Sequence, residues 1–438
     1  MKIAILGGGE SGVGAALLAN KEGYDVWLSD RGTIAPQYRT ELIQSGILYE
    51  ENKHTEEKIF DANLVVKSPG IPDQIALIQK IIEQGIPVIS EIEFASRHTH
   101  SVIIGITGSN GKTTTTKLTY HLLHTAGLDV GIGGNVGYSF ARLVATTPRE
   151  YYVLELSSFQ LDGIVDFRPN IALLLNITPD HLDRYDYDFS KYVYAKFRII
   201  QNQRSNDLFI YNGSDPNIRS HLEAQAAVAE TQTIEQALTA DQWLHLDEQT
   251  FDLTQCSLKG PHNVFNAKCA IRVAQRLGIH PSSIQQGLNT FVNVAHRLEW
   301  VAEIEGVEYI NDSKATNVDA VYYALLAMEK KIVLIFGGQD KGNDYSKITE
   351  LVRQKVKAIV CLGLDNRKIV EAFRSIVDII EETQDTHVAV QKASAHTQPG
   401  DVVLLSPACA SFDLFKNYAA RGDHFKAAVL DLKSSLEA

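Results

Sequence analysis

Short apolar segments alternate with amphipathic ones along nearly the whole chain, several of the apolar segments run straight into Gly, Asp or Ser-Pro, and the series restarts twice. These observations predict an α/β fold in which mainly parallel sheets are covered by helices and divided among three domains. Length agrees, since 438 residues exceed what one hydrophobic core organises.

Taken in order, Lys2–Leu6, Asp25–Ser29 and Leu64–Val66 read as strands, and Pro87–Glu93 as a short closing strand, which predicts a first domain over residues 1–92. The series restarts with the apolar run at Val102 and continues through Tyr151–Leu156, Ile171–Asn176 and Leu208–Tyr211, predicting a second domain over 93–294. Within it the polar, Gln- and Ala-rich stretch near 220–250 carries no clear pattern. Val307–Ile310, Lys331–Phe336, Ala358–Leu362 and Val402–Leu405 form the third series, over 295–438, and end in the residues found at the ligand-bearing carboxyl ends of parallel strands.

Composition narrows the function. An excess of acidic over basic side chains gives a net charge of -12, which argues against sequence-independent binding to nucleic acid. Four cysteines lie far apart with no C-x-x-C pair, so neither a zinc site nor a disulfide framework is expected and a reducing cytoplasm fits best. No apolar run reaches the roughly 18 residues of a membrane span. The opening MKIAILGGGE is expected as a strand and turn, because Gly7-Gly8-Gly9-Glu10 interrupts what a signal peptide needs continuous.

Two glycine-rich turns carry chemistry. GITGSNGKTTTT, Gly105 to Thr116, follows Val102-Ile103-Ile104 and opens a helical pattern, the setting in which backbone N–H groups and a lysine surround nucleotide phosphates. Gly108 and Gly111 allow close approach, Lys112 supplies a charge for the β/γ oxygens, and Thr113 offers a hydroxyl to Mg²⁺. The general phosphate-loop pattern wants glycine at 106, where this chain has Ile106. The second turn, Gly7-x-Gly9-x-x-Gly12 followed by Asp30 at the end of the next strand, suits a diphosphate and a hydroxyl-bearing sugar or base; NAD and a UDP-sugar both fit. The first and third domains are accordingly expected to be Rossmann-like and the central one a P-loop ATPase domain. Glu155 ends a strand, where its carboxylate could reach a metal beside the phosphate loop, and His181 follows the neighbouring strand.

Several motifs together resemble the Mur ligases, ATP-dependent enzymes that add amino acids to peptidoglycan precursors: GSNGKTTTT, GGNVG at 133–137, LELSSFQL at 154–161, NITPDHLDRY at 176–185, GPHNVFNA at 260–267, AHRLE at 295–299, NDSKATN at 311–317 and GGQDKG at 337–342. LELSSFQL combined with SPACASFDLFKNYAARGDHF at 406–425 is similar to those members that add D-glutamate to UDP-N-acetylmuramoyl-L-alanine. The resemblance implies that Gly108, Asn110, Gly111, Lys112, Thr113 and Thr114 hold ATP, with Asn263, Asn266, Arg297 and Asp312 as further nucleotide contacts and closure of the third domain assembling the site. It implies metal positions at Thr113, Glu155, His181 and Lys196, the last as a carbamate, since an ammonium would repel Mg²⁺. Lys112, Glu155, His181 and Lys196 are thereby the expected catalytic set. Glu10, Ser11, Asp30, Arg31, Ser68 and Asn135 match the precursor side, although an acid at Glu10 is unusual beside a diphosphate. Thr316, Lys341, Ser411, Phe412 and Tyr418 match the D-glutamate side, with Tyr418 standing where the family pattern has Phe.

The implied reaction runs through an acyl phosphate, in an enzyme expected to be cytoplasmic and monomeric, with no nucleic-acid partner. Two readings from other classes stay open on the residues: a nicotinamide-dependent oxidoreductase, which leaves Lys112 and GGQDKG without a role, and a P-loop NTPase switch. Within the family, ligases for other acceptor amino acids share the central motifs.

Overall fold

The computed structural model describes residues 1–236, 243–258, 260–293 and 295–437. The first sheet contains β1 (Lys2–Leu6), β2 (Asp25–Ser29), β3 (Leu48–Glu50), β4 (Leu64–Lys67) and β5 (Val88–Ser90) in the order β3-β2-β1-β4-β5, every pair parallel. Its strands are apolar on both faces, as a sheet covered on both sides requires. Ile3 and Ile5 point into one buried cluster while Ala4 and Leu6 point into another. The expected strand Pro87–Glu93 is shorter than its apolar run: it ends at Ser90, whose hydroxyl accepts from Glu93 N–H at 3.2 Å and caps a helix over Glu91–Ser96.

The second sheet joins β6 (Val102–Thr107), β7 (Val130–Gly134), β8 (Tyr151–Glu155), β9 (Ile171–Leu174), β10 (Leu208–Asn212) and β11 (Glu230–Ile234) in the order β11-β10-β9-β6-β8-β7, all parallel. A small pair, β12 (Trp243–Leu246) and β13 (Gln249–Asp252), stands apart. The third sheet holds β14 (Glu299–Ile304), β15 (Val307–Asn311), β16 (Ile332–Gly337), β17 (Val356–Leu362), β18 (Ile379–Thr383) and β19 (Val402–Ala408), ordered β14-β15-β19-β16-β17-β18. Only the β14–β15 hairpin is antiparallel. In β16 and β19, Leu334 and Leu404 enter one cluster while Val333, Ile335, Val403 and Leu405 enter the other, the two-residue period of a sheet covered twice.

The described residues fall into two compact units: those of Met1–Gln236, Leu244–Asp252 and Phe265–Phe291 in one, Trp243 and those of 253–264 and 292–437 in the other. Inside the first unit the two large sheets share one core, in which Ile5, Leu28 and Val66 meet Phe140, Leu154 and Leu174. Polar ties reinforce it. Glu93 is wholly buried and its Oε2 accepts from the N–H groups of Val165 (2.8 Å), Asp166 (3.0 Å) and Phe167 (2.8 Å), while Oε1 takes Arg97 Nε at 2.8 Å. Arg142, on the helix Phe140–Thr146, donates to Glu10 at 2.7 Å and also to Glu41. Glu91 accepts from Ala141 N–H; burial, with Glu10 adding to it, pushes its carboxyl up to about 8. Among the described residues no helix is long and apolar enough to cross a membrane.

Candidate active site

Parallel sheets bind ligands at the carboxyl ends of their strands, where the order reverses. In the second sheet that point is β6, flanked by β9 and β8. The chain leaves β6 through Gly108 (φ +156°) and Gly111 (φ +85°), and the helix Lys112–Thr125 starts with Gly111 as its N-cap. A side chain at Gly111 would be strained by its φ and would press on Asn266 Oδ1, 2.7 Å from an added Cβ. Ile106, against the general pattern, lies buried within β6 ahead of the turn.

Side chains from β9 and beyond fix the shape of this turn. Asn176 accepts from Asn110 N–H at 2.7 Å and donates back to Asn110 O at 3.0 Å. Ser109 Oγ donates to Thr178 O at 2.8 Å and accepts from Thr178 N–H at 2.9 Å, with Tyr192 Oη 3.1 Å away. The Lys112 amine donates to Gly108 O at 2.6 Å and Ser109 O at 3.0 Å. Asn176, Thr178 and Tyr192 have no phosphate-loop signature of their own, so sequence reasoning assigned them no role.

Glu155 ends β8 and is buried; its Oε1 accepts from Asn135 Nδ2 at 2.9 Å, while Oε2 is buried without a hydrogen-bond partner among the described residues. An anionic oxygen desolvated in this way is what a cation would satisfy, so the site fits Mg²⁺. Lys196 is also buried and donates to Gly108 O at 2.8 Å, with the Tyr192 ring 4.6 Å from its amine. Burial, together with the Lys112 charge, holds that amine well below its ordinary range. His181 sits in left-handed backbone (φ +52°), its ring 5.2 Å from Phe159 and its Nε2 3.6 Å from Asp180. Among the described residues no three His, Cys, Asp or Glu side chains gather as a metal cage.

In the first sheet the reversal lies between β1 and β4. Gly12 opposes Gly7 so closely that an added Cβ would lie 1.8 Å from Gly7 O, which dictates glycine there. Asp30 takes the N–H groups of Gly8 and, at 2.6 Å, Gly32. Ser68 Oγ is buried beside this turn without a hydrogen-bond partner among the described residues. Ser11 lies in the first turn of the helix Glu10–Lys21, and Arg31 on the exposed loop after β2. Glu10 is engaged elsewhere: its carboxylate holds Arg142 Nε and accepts from Ser139 N–H at 2.9 Å. Its position at the helix start therefore brings no free charge to the turn. A cavity of about 310 Å³ nearby is lined by Asp73, Asp162, Arg184, Tyr185 and Arg198 among others. Arg184 there donates to Gly70 O at 3.3 Å and Pro69 O at 3.4 Å.

The second unit has its own cluster at the ends of β15, β16 and β19. Asp312 is buried, accepts from Leu298 N–H (3.2 Å) and Ser406 Oγ (2.9 Å), and stands 4.0 Å from Arg297; burial pushes its carboxyl up to about 6 against the pull of Arg297. Lys341 rides on a loop fixed by Asp340, whose carboxylate accepts from Gly342 N–H (2.6 Å), Asn343 N–H (3.1 Å) and Tyr345 Oη (2.7 Å). That loop pairs with Ala410 through Gln339, and Ser411 follows, buried, with Phe412 exposed. Thr316 follows the Asp312 turn, and Tyr418 stacks edge-on to His296 at 6.3 Å. Arg421, a residue the sequence reading passed over, is buried with its donors on Ser313 and on the carbonyls of Ser313, Gly337 and Cys409.

Residues 1–90, 106–274 and 296–409 match family profiles described, respectively, as Mur ligase MurD-like, N-terminal domain; Mur ligase middle domain; and Mur ligase, glutamate ligase domain. The chain is 51% identical to a UDP-N-acetylmuramoylalanine--D-glutamate ligase from Christiangramia forsetii, covering 98% of this chain and 99% of that one. Identity is 49% to the protein of the same name from Bacteroides fragilis, covering 98% and 100%. Among solved structures, a pseudomurein peptide ligase type C from Methanothermus fervidus matches at a TM-score of 0.65 and 18% identity over 99% of this chain and 100% of that one. A UDP-N-acetylmuramate-alanine ligase from Thermotoga maritima matches at 0.62 and 20%, again over 99% and 100%. At these identities the structural likeness speaks to the fold.

Proposed function

The chain belongs to the Mur ligase family, and from that membership we infer that it is an ATP-dependent ligase joining D-glutamate to UDP-N-acetylmuramoyl-L-alanine in peptidoglycan precursor synthesis. The observation that carries the reading is the braced turn Gly108–Thr113 beside the unsatisfied carboxylate oxygen of Glu155, a site for a triphosphate and its cation. Relatives bearing the D-glutamate ligase name align over nearly their full length and support the choice of acceptor.

The L-alanyl carboxylate attacks the γ-phosphorus of ATP, forming an O–P bond as the bond to ADP breaks. The neutral amine of D-glutamate then attacks the acyl carbon, the C–O bond to phosphate breaks, and the nitrogen gives up one proton, to solvent or to the departing phosphate, as the amide forms. No side-chain nucleophile is needed, and the protein's task is alignment and neutralisation of charge. We assign the loop N–H groups at the start of the helix Lys112–Thr125 and the Lys112 amine to the β/γ-phosphates, with Asn263, Asn266, Arg297 and Asp312 as further nucleotide contacts. When bound, Mg²⁺ supplies charge neutralisation between the phosphates. Thr113, Glu155 and His181 are its protein ligands in this reading, with Lys196 as a carbamate formed when its neutral amine adds CO₂ and loses a proton. Ser11, Asp30, Arg31, Ser68 and Asn135 serve the precursor, and Thr316, Lys341, Ser411, Phe412 and Tyr418 the D-glutamate. The enzyme acts as a cytoplasmic monomer.

The deciding experiment measures phosphate release and amide formation with Mg²⁺, ATP, the UDP precursor and a panel of amino acids. Turnover that needs D-glutamate, with L-glutamate poor, is the expected result. Nucleotide consumption without an acceptor, or stoichiometric tight binding of NADH, would defeat the reading.

A further inference from the structure

We propose that Glu50 and His54 are positioning residues for the uridine end of the precursor, acting through Ser29 on the loop Asp30–Ile34. The proposal rests on the assignment of Asp30 and Arg31 to that end. Ser29 closes β2 and is wholly buried, so its hydroxyl must find its partners within the protein. That hydroxyl lies 2.8 Å from Glu50 Oε1 and 2.7 Å from His54 Nδ1. It has one proton to give. Glu50 can only accept, as it does from Thr55 N–H at 2.7 Å and Thr55 Oγ1 at 2.5 Å, so Ser29 donates to Glu50 and His54 donates its Nδ1–H to Ser29. Nδ1 is thereby fixed as the protonated nitrogen of the ring, and burial lowers the imidazole's pKa against the pull of Glu50.

The same loop grips the segment that follows Ser29. Asp30 N–H donates to Glu50 O (3.1 Å), Lys53 N–H to Asp30 O (3.3 Å), and Asn52 N–H to Gly32 O (3.0 Å). Thr33 Oγ1 donates to Asn52 Oδ1 (3.0 Å) and Ile34 N–H to Glu51 Oε2 (3.0 Å). Because Asp30 in turn holds Gly8 N–H, a shift of this loop reaches the Gly7–Gly12 turn as well. Such density of links on an otherwise solvent-facing loop sets the register of Asp30 and Arg31. Neither Glu50 nor His54 carries a motif that sequence reading would have flagged.

The test uses the full chain: binding of UDP by calorimetric titration, together with KM for each substrate and kcat. His54→Ala and Glu50→Gln are expected to weaken UDP binding about tenfold and to raise the precursor KM alike, leaving kcat and the KM values for ATP and D-glutamate within about twofold. His54→Asn, whose amide can take the place of Nδ1–H, should recover most of the loss. UDP affinity unchanged in His54→Ala, an equal rise in all three KM values, or His54→Asn as impaired as His54→Ala would each overturn the proposal. If Glu50→Gln does not fold, the His54 pair decides alone. A silent Asp30→Ala would remove the underlying assignment and the proposal together; a damaging Asp30→Ala beside a silent His54→Ala would remove the proposal only.

Discussion

The two glycine turns of the first compact unit share a design and differ in what surrounds them. Both leave a central parallel strand and open a helix, with left-handed glycine at Gly7 in one and at Gly108 and Gly111 in the other. The turn after β6 gathers two lysine amines on Gly108 O, and an unsatisfied Glu155 oxygen waits at the end of β8. At the turn after β1, Asp30 caps the loop amides and Glu10 is drawn off by Arg142. Similar strand–turn–helix connections thus sit in two different polar surroundings, with the N-cap glycine extended at Gly9 and left-handed at Gly111. On the proposed function, the turn after β6 neutralises a triphosphate and its metal and the turn after β1 receives the diphosphate of the precursor.

The sharpest way to break the comparison is to remove charge from the first turn. Lys112→Ala should lower kcat on the order of 10³-fold with no loss of folded stability, seen as unchanged melting beside failed phosphate release. Lys341→Ala should raise the D-glutamate KM on the order of 10²-fold, about 3 kcal/mol, while that for ATP stays put; equal effects on both would remove the acceptor assignment. At the second turn the loss should instead be structural. Gly12→Ala forces a Cβ to 1.8 Å from Gly7 O and should cost about 2–4 kcal/mol in denaturant unfolding. The smallest effect is a matter of pH. Glu91 titrates near 8 in the folded protein against 4.5 when unfolded, so the folded state holds the extra proton and stability falls as pH rises between those values. Glu91→Gln, which keeps the acceptor for Ala141 N–H, should flatten that slope, gaining on the order of 2 kcal/mol at pH 8 and little at pH 5 in parallel melts.

Central strands were legible because burial on both faces writes itself as an apolar run: β1, β2, β4, β6, β8, β9, β10, β15, β16, β17 and β19 all lie on segments the sequence predicts. The strands that escaped carry no such run. β3 is three residues long, β7 is three-fifths glycine, and of the edge strands β11 is largely exposed while β18 has no buried residue. β14 is held by its hairpin partner, since antiparallel pairing leaves one face free. Site legibility divides in a similar way. Gly108 to Thr113 is readable because the residues that act on phosphate are contiguous. The supports that hold it, Asn176, Thr178 and Tyr192, come from a later strand end and helix, and their meaning appears only when the chain is folded. Glu10 shows the converse, since a residue at the right place in a motif is redirected by Arg142 far along the chain.

Glu93 gives the first unit a property that neither turn has alone. An anion buried against three amides cannot be pulled from them without being stranded in an apolar interior, so sliding one sheet over the other is strongly opposed. The turns Gly7–Gly12 and Gly108–Thr113 belong to the two sheets that this contact ties together. On the proposed function, such a tie would hold the span over which the far end of one nucleotide must meet the tip of another.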